Sequence, residues 1–151
     1  MLGKIIKIEE IFDLALTNIG KLTGSNGASL GMSQMLSACD GYLIETDKHK
    51  YHILISNGQS CCESWGYFSS EDDTERFVGR ELCEVNLTDV ALNKKKVEDS
   101  GYYEDNGGIQ FVDFVTDKGV LQLAVYNAHN GYYGHGIVIA KDTEILLGDT
   151  L

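Results

Sequence analysis

Apolar residues near the start of the chain recur at helical spacing. Ile8, Ile11, Phe12, Ala15, Ile19 and Leu22 fall on one face, and Glu9, Glu10, Asp13 and Asn18 fill the other. That pattern predicts an amphipathic helix over residues 8–22. Its acidic start and Lys21 near its end suit the helix dipole, and Gly20 and Gly24 lie where such a helix would stop. Residues 23–33 are rich in Gly, Ser and Asn, and read as a flexible connector or a lid over a site. Met32, Met35 and Leu36 are expected to dock a short helical turn onto the core.

From about residue 41 the period changes to two. Residues 42–46 form one expected strand. After a turn at 47–49, Tyr51, Ile53 and Ile55 alternate with His52, Leu54 and Ser56 in the next. Asn57-Gly58 signals a turn, after which Cys61-Cys62-Glu63 enters a third strand. Ser69 or Ser70 can cap a short helix that starts with Glu71, Asp72 and Asp73, is anchored by Phe77 and Val78, and ends at Gly79. Leu82, Val85, Leu87, Val90 and Leu92 suggest a long strand, with Lys94-Lys95-Lys96 as its solvated end. Residues 109–116 and 120–126 should pair through the turn Asp117-Lys118-Gly119. Residues 137–139 form a final strand, and the tail with Ile145 and Leu147 adds a small edge strand or hangs loose. Short turns between consecutive strands imply an antiparallel sheet with helices on one face. The expected fold is therefore α+β: a single domain, mostly antiparallel sheet, with an N-terminal helix and one short inserted helix. Residues 1–40 would supply the helix and the Gly/Ser-rich loop, and residues 41–151 the sheet.

Composition narrows this picture. A chain of 151 residues is most simply one domain. With 17 Gly and no Pro, its turns must use Gly or Asn at positive φ. The net charge of −11 and the lack of a basic stripe disfavour direct binding to a nucleic-acid backbone. Such acidity serves solubility, or speeds the encounter with a basic protein surface. Charges interrupt the apolar pattern of the first 22 residues, so no signal peptide is expected. No apolar run approaches a membrane span. The expected location is the cytoplasm, where the four cysteines would stay reduced.

Two short segments concentrate the chemistry, residues 59–67 and 126–135. They hold Cys61, Cys62 and the single tryptophan, Trp65. Alternation places Cys61, Glu63, Trp65 and Tyr67 on one face, and Cys62, Ser64, Gly66 and Phe68 on the other. Leu121, Leu123, Val125, Asn127 and His129 likewise share a face, up to a turn at Asn130-Gly131. A hairpin there would bring His129 close to Tyr133 or His135. The candidate ligand-binding residues are Glu63, Trp65, Asn127, His129, Tyr132, Tyr133 and His135. Aromatic rings offer stacking, and the carboxylate, amide and imidazoles offer hydrogen bonds or a hold on a cation. Simple packing of the sheet accounts for the same residues without a ligand.

Cys61 or Cys62 together with Glu63, His129 and His135 supplies zinc-ligand types. There is no Cys-x-x-Cys pair and no His-Glu-x-x-His helix, so the expected cofactor is none, with zinc as the weak alternative. A cysteine nucleophile with a histidine base, or Glu63 with a histidine in acid–base chemistry, completes the catalytic options.

The order of these features resembles an uncharacterised domain family frequent in bacteriophage and prophage genomes. A hairpin leads into Gln59-x-Cys61-Cys62-Glu63, and a short acidic helix and a Gly-containing turn follow at Glu71 to Gly79. A strand after the Thr116 to Gly119 turn ends in Asn130-Gly131-Tyr132-Tyr133. The similarity covers about residues 41–140; the first forty residues, His129 and His135 depart from it. It implies a small α+β cytoplasmic protein of mobile-element origin and transfers no catalytic residue. The expected function is a small acidic accessory protein acting by binding. It would be a counter-defence protein that inhibits a host factor or sequesters a nucleotide-like small molecule. Trp65, Tyr132 and Tyr133 would stack on such a ligand, and Glu63, Asn127 and His129 would make its polar contacts. The alternatives are a small hydrolase or metal-assisted phosphoesterase using Glu63, His129 and His135, and a structural or protein-interaction module. An exposed edge strand would permit a homodimer.

Overall fold

The computed structural model describes residues 1–24, 38–58, 63–104, 107–129, 131 and 134–151. Among them are ten strands: β1 (Ile5–Ala15), β2 (Thr23–Gly24), β3 (Ala38–Thr46), β4 (Lys50–Ser56), β5 (Glu63–Ser69), β6 (Leu82–Thr88), β7 (Gly108–Thr116), β8 (Gly119–His129), β9 (Gly136–Lys141) and β10 (Glu144–Thr150). One α-helix, α1 (Lys94–Ser100), lies between β6 and β7. The strands form two sheets, ordered β1-β3-β4-β9-β10-β2 and β5-β8-β7-β6. All pairs are antiparallel except β10 with β2.

Strand alternation builds the core. Tyr42, Ile44, Tyr51, Ile53, Ile55, Ile137 and Ile139 of the six-stranded sheet meet Val112, Phe114, Leu121, Leu123 and Val125 of the other. Each sheet thus buries its apolar face against the other, as in a sandwich. The alternate residues Cys39, Leu54, Val138 and Ala140 point the opposite way, where Leu16, Ile19 and Leu22 pack against them. The outward face of the four-stranded sheet carries Tyr126, whose hydroxyl donates to the Ser100 carbonyl at the end of α1 at 2.9 Å.

The fold is therefore mostly β, not α+β, and the expected N-terminal helix over 8–22 is absent. Residues 5–15 are β1, followed by one 3-10 turn at Leu16–Asn18. Bulges explain the misleading spacing. The register of β1 on β3 shifts between Ile5 and Lys7, and again between Ile11 and Leu14, where Asp13 takes φ 54°. An extra residue in a strand converts a period of two into three, so Ile5 and Ile8 both face the core. The short inserted helix also lies elsewhere. Residues 71–79 give only a 3-10 turn, Thr74–Phe77. The α-helix instead takes the Lys94-Lys95-Lys96 run, expected to be a solvated strand end. Asn93 caps it by accepting from the Lys96 N–H, and Gly101 closes it at φ 84°.

Two connections carry the chain from one sheet to the other. β4 pairs with β3 and β9, while β5 joins β8 in the other sheet. The chain likewise changes sheet between β8 and β9. The tail is not loose: β10 runs between β9 and β2. The docked turn expected from Met32, Met35 and Leu36 lies outside the described residues. No helix among the described residues is long and apolar enough to cross a membrane.

Packing sets a pH limit on this fold. Burial, with Asp40 nearby, pushes the Cys39 thiol up from 9.0 to about 12. Burial likewise pushes Tyr51 and Tyr67 up from 10.0 to about 12, and raises Tyr42 further. Above the ordinary values the unfolded chain releases protons that the folded protein retains. Stability is therefore complete below about pH 9 and is lost as pH climbs toward 12. Urea midpoints measured at pH 8, 10 and 11 should fall in that order; a flat series would mean these groups are not held neutral by the fold.

Candidate functional site

The two chemistry-bearing segments meet at one end of the sandwich. In the β5–β8 pair, Glu63 lies opposite His129 and Trp65 opposite Asn127. Alternation turns these residues toward the other sheet, where β4 ends at Ser56 and β9 is about to begin. His135 stands just before β9. Its Nε2 lies 2.9 Å from Glu63 Oε2, with 5% and 1% of the two side chains exposed. Its Nδ1 lies 2.6 Å from the Ser56 carbonyl oxygen and 3.1 Å from Ser56 Oγ. The Trp65 ring stacks on the imidazole at 5.2 Å between centroids and 26° between planes.

Hydrogen-bond chemistry fixes the proton inventory. A carbonyl oxygen only accepts, so His135 Nδ1 carries a proton and donates to Ser56. Nε2 then faces a carboxyl oxygen with one further proton between them. Held by Ser56 on one side and Glu63 on the other, the ring is fixed in orientation. Trp65 covers one of its faces, a favourable arrangement for a ring carrying positive charge.

The neighbouring polar groups are also held by the fold. Asn127 is fully buried, and its Nδ2 donates to the Leu151 carbonyl at 3.0 Å. The same carbonyl accepts the His135 N–H at 2.9 Å, and the Leu151 N–H returns a bond to the His135 carbonyl at 2.8 Å. His129 accepts the Gly131 N–H on Nδ1 at 2.9 Å, which places its own proton on Nε2. Gly131 reaches this position at φ 105°.

The structure thus gathers Glu63, Trp65, Asn127, His129 and His135. Tyr132, Tyr133, Cys61 and Cys62 lie outside the described residues. β8 and β9 belong to different sheets, so no β8–β9 strand pairing joins His129 to His135; each instead adjoins Glu63. Sequence reasoning missed Ser56 and Leu151. Both act through main-chain carbonyls, which leave no mark in residue identity. Both ring nitrogens of His135 are engaged, and Nδ1 of His129 is occupied. Among the described residues no group of three or more His, Cys, Asp or Glu side chains is placed to hold a metal ion.

Comparison with known proteins finds a domain of unknown function, DUF7448, whose family model matches residues 1–139. An uncharacterised protein of Acanthamoeba polyphaga mimivirus is 27% identical over 88 residues, which are 58% of this chain and 66% of that protein. The matched region thus spans just under two thirds of that relative's length. No solved structure matches.

Proposed function

The chain belongs to the DUF7448 family, and from its closed polar cluster we infer that it works by binding a partner protein, not by turnover. The observation that carries this reading is the saturation of His135. A general base needs a lone pair within reach of the substrate. Here one ring nitrogen is tied to Ser56 and the other to Glu63, inside the sandwich. Such a cluster supports the surface around it, and its engaged ring nitrogens weigh against His135 as a base. Trp65 already spends one ring face on His135, which weighs against a nucleobase stacking there. The net charge of −11 repels phosphates and favours a basic protein surface. An accessory, counter-defence role in a host cell is part of the same proposal; the viral relative is itself uncharacterised.

The test is direct. The protein is incubated with p-nitrophenyl phosphate and p-nitrophenyl acetate, and separately with host lysate under cross-linking. The expected result is hydrolysis no faster than in buffer, together with one stoichiometric protein adduct. Hydrolysis that disappears in a folded His135→Gln variant would replace the binding reading with the hydrolase.

A further inference from the structure

An open sheet edge is a template for strand pairing, and folded proteins usually block it. Among the described residues four strands lie at such edges, β1, β2, β5 and β6. β1 carries two bulges and the charges of Lys7, Glu9 and Glu10. β2 is only two residues long. β6 is bulged between Leu82 and Glu84, and the N-terminal segment covers its start through Leu2 N–H to the Leu82 carbonyl at 2.9 Å and Leu82 N–H to the Gly3 carbonyl at 2.8 Å. Among the described residues β5 is neither bulged nor truncated, and α1 packs against it. Its seven residues pair with β8 in unbroken register, no charge occurs from Ser64 to Ser69, and every residue along it is half-buried. A strand wholly inside a sheet, such as β8, is buried almost throughout.

An acidic groove opens at the end of this edge. It has a volume of about 220 Å³, and Glu9, Glu10, Tyr42, Ser69 and Asp72 line it. Tyr67 of β5 donates to Glu10 Oε2 at 3.3 Å, so edge and groove are continuous. Glu9 pairs with Lys7 and Asp72 with Lys96. Glu10 has no cationic partner among the described residues.

We propose that β5 is a docking edge. It takes an extended, lysine- or arginine-bearing segment of the partner protein as an added strand, with a basic side chain reaching Glu10. Main-chain hydrogen bonds would supply affinity and the groove would select charge, the usual division of labour in strand addition. The proposal rests on the binding reading above and adds its site and chemistry. A second copy of this chain is the poorer occupant, because it would bring another charge of −11 against the same acidic groove.

Trp65, the only tryptophan, lies on β5 and reports on it. The probe is a capped peptide of alternating lysine and valine, titrated by Trp65 emission and by amide exchange. Binding should slow exchange at residues 63–69, and N-methylating the peptide backbone should weaken it about tenfold. Glu10→Gln should weaken it by about two- to fivefold. Ser64→Lys, which places a charge on the edge, should abolish it without moving the urea midpoint. Equal binding by the N-methylated peptide, or no slowing at 63–69 with millimolar peptide, overturns the proposal. So does a concentration-dependent dimer that protects 63–69 without peptide. A cross-linked partner mapped away from β5 sinks the docking edge and leaves the binding reading standing. Enzymatic turnover sinks the binding reading itself.

Discussion

Glu63→Ala lowers folding stability by about 3–5 kcal/mol, the cost of breaking a buried ion pair from one side. The carboxylate faces His135 Nε2 at 2.9 Å, and almost none of its side chain is exposed. Without it, the buried Nε2 of His135 loses its partner and faces an apolar gap. The Ser56 carbonyl cannot compensate, because it already accepts from Nδ1. Domains of this kind have a total stability of about 5–15 kcal/mol, so the loss is a large share of the whole. His135→Ala should cost a similar amount and also remove the ring that stacks on Trp65. The paired replacement Glu63→Leu with His135→Leu should cost much less than the sum of the two, because no buried charge is stranded. Urea unfolding of the four proteins measures all of this. A loss below about 1 kcal/mol for Glu63→Ala would place the pair with exposed salt bridges and remove the keystone role.

Gly41→Ala should lower stability by about 3 kcal/mol or more, for a reason of backbone geometry. Gly41 sits in β3, opposite Ile11 on one side and Leu54 on the other, at φ 152°. A Cβ there would lie 2.0 Å from the Ile53 carbonyl oxygen. That oxygen is main chain of β4, so it cannot swing aside as a side chain would. Relief requires moving β4, which holds Tyr51, Ile53 and Ile55 in the core. Calorimetry should show a fall in Tm of about 6–12 °C. Gly58→Ala is the control, since a Cβ there meets nothing within 4 Å. Equal Tm values for the two variants would show that β3 and β4 do not approach this closely.

The parts of this protein readable from sequence were those set by neighbouring residues. Alternation along residues 51–55, 63–67 and 121–129 followed from the two faces of a strand, and the Asp117-Lys118-Gly119 turn joined β7 to β8. The α1 caps, Asn93 and Gly101, went unread, because the short lysine run between them lacks an apolar stripe to mark a helix. Bulged β1 was misread, because an inserted residue imitates helical spacing and only the pairing with β3 reveals the shift. Which sheet each strand joins depends on burial of whole faces, so the crossings after β4 and β8 had no local signal. Glu63 and Asn127 come together through the β5–β8 register. His135 reaches them from the opposite sheet, and its anchors are the main-chain carbonyl of Ser56 and the backbone of Leu151. Local sequence thus determined most of the strands and turns and which residues of each motif share a face. The tertiary structure alone decided that the motifs share one buried cluster, because contacts between sheets join residues that no short-range pattern connects.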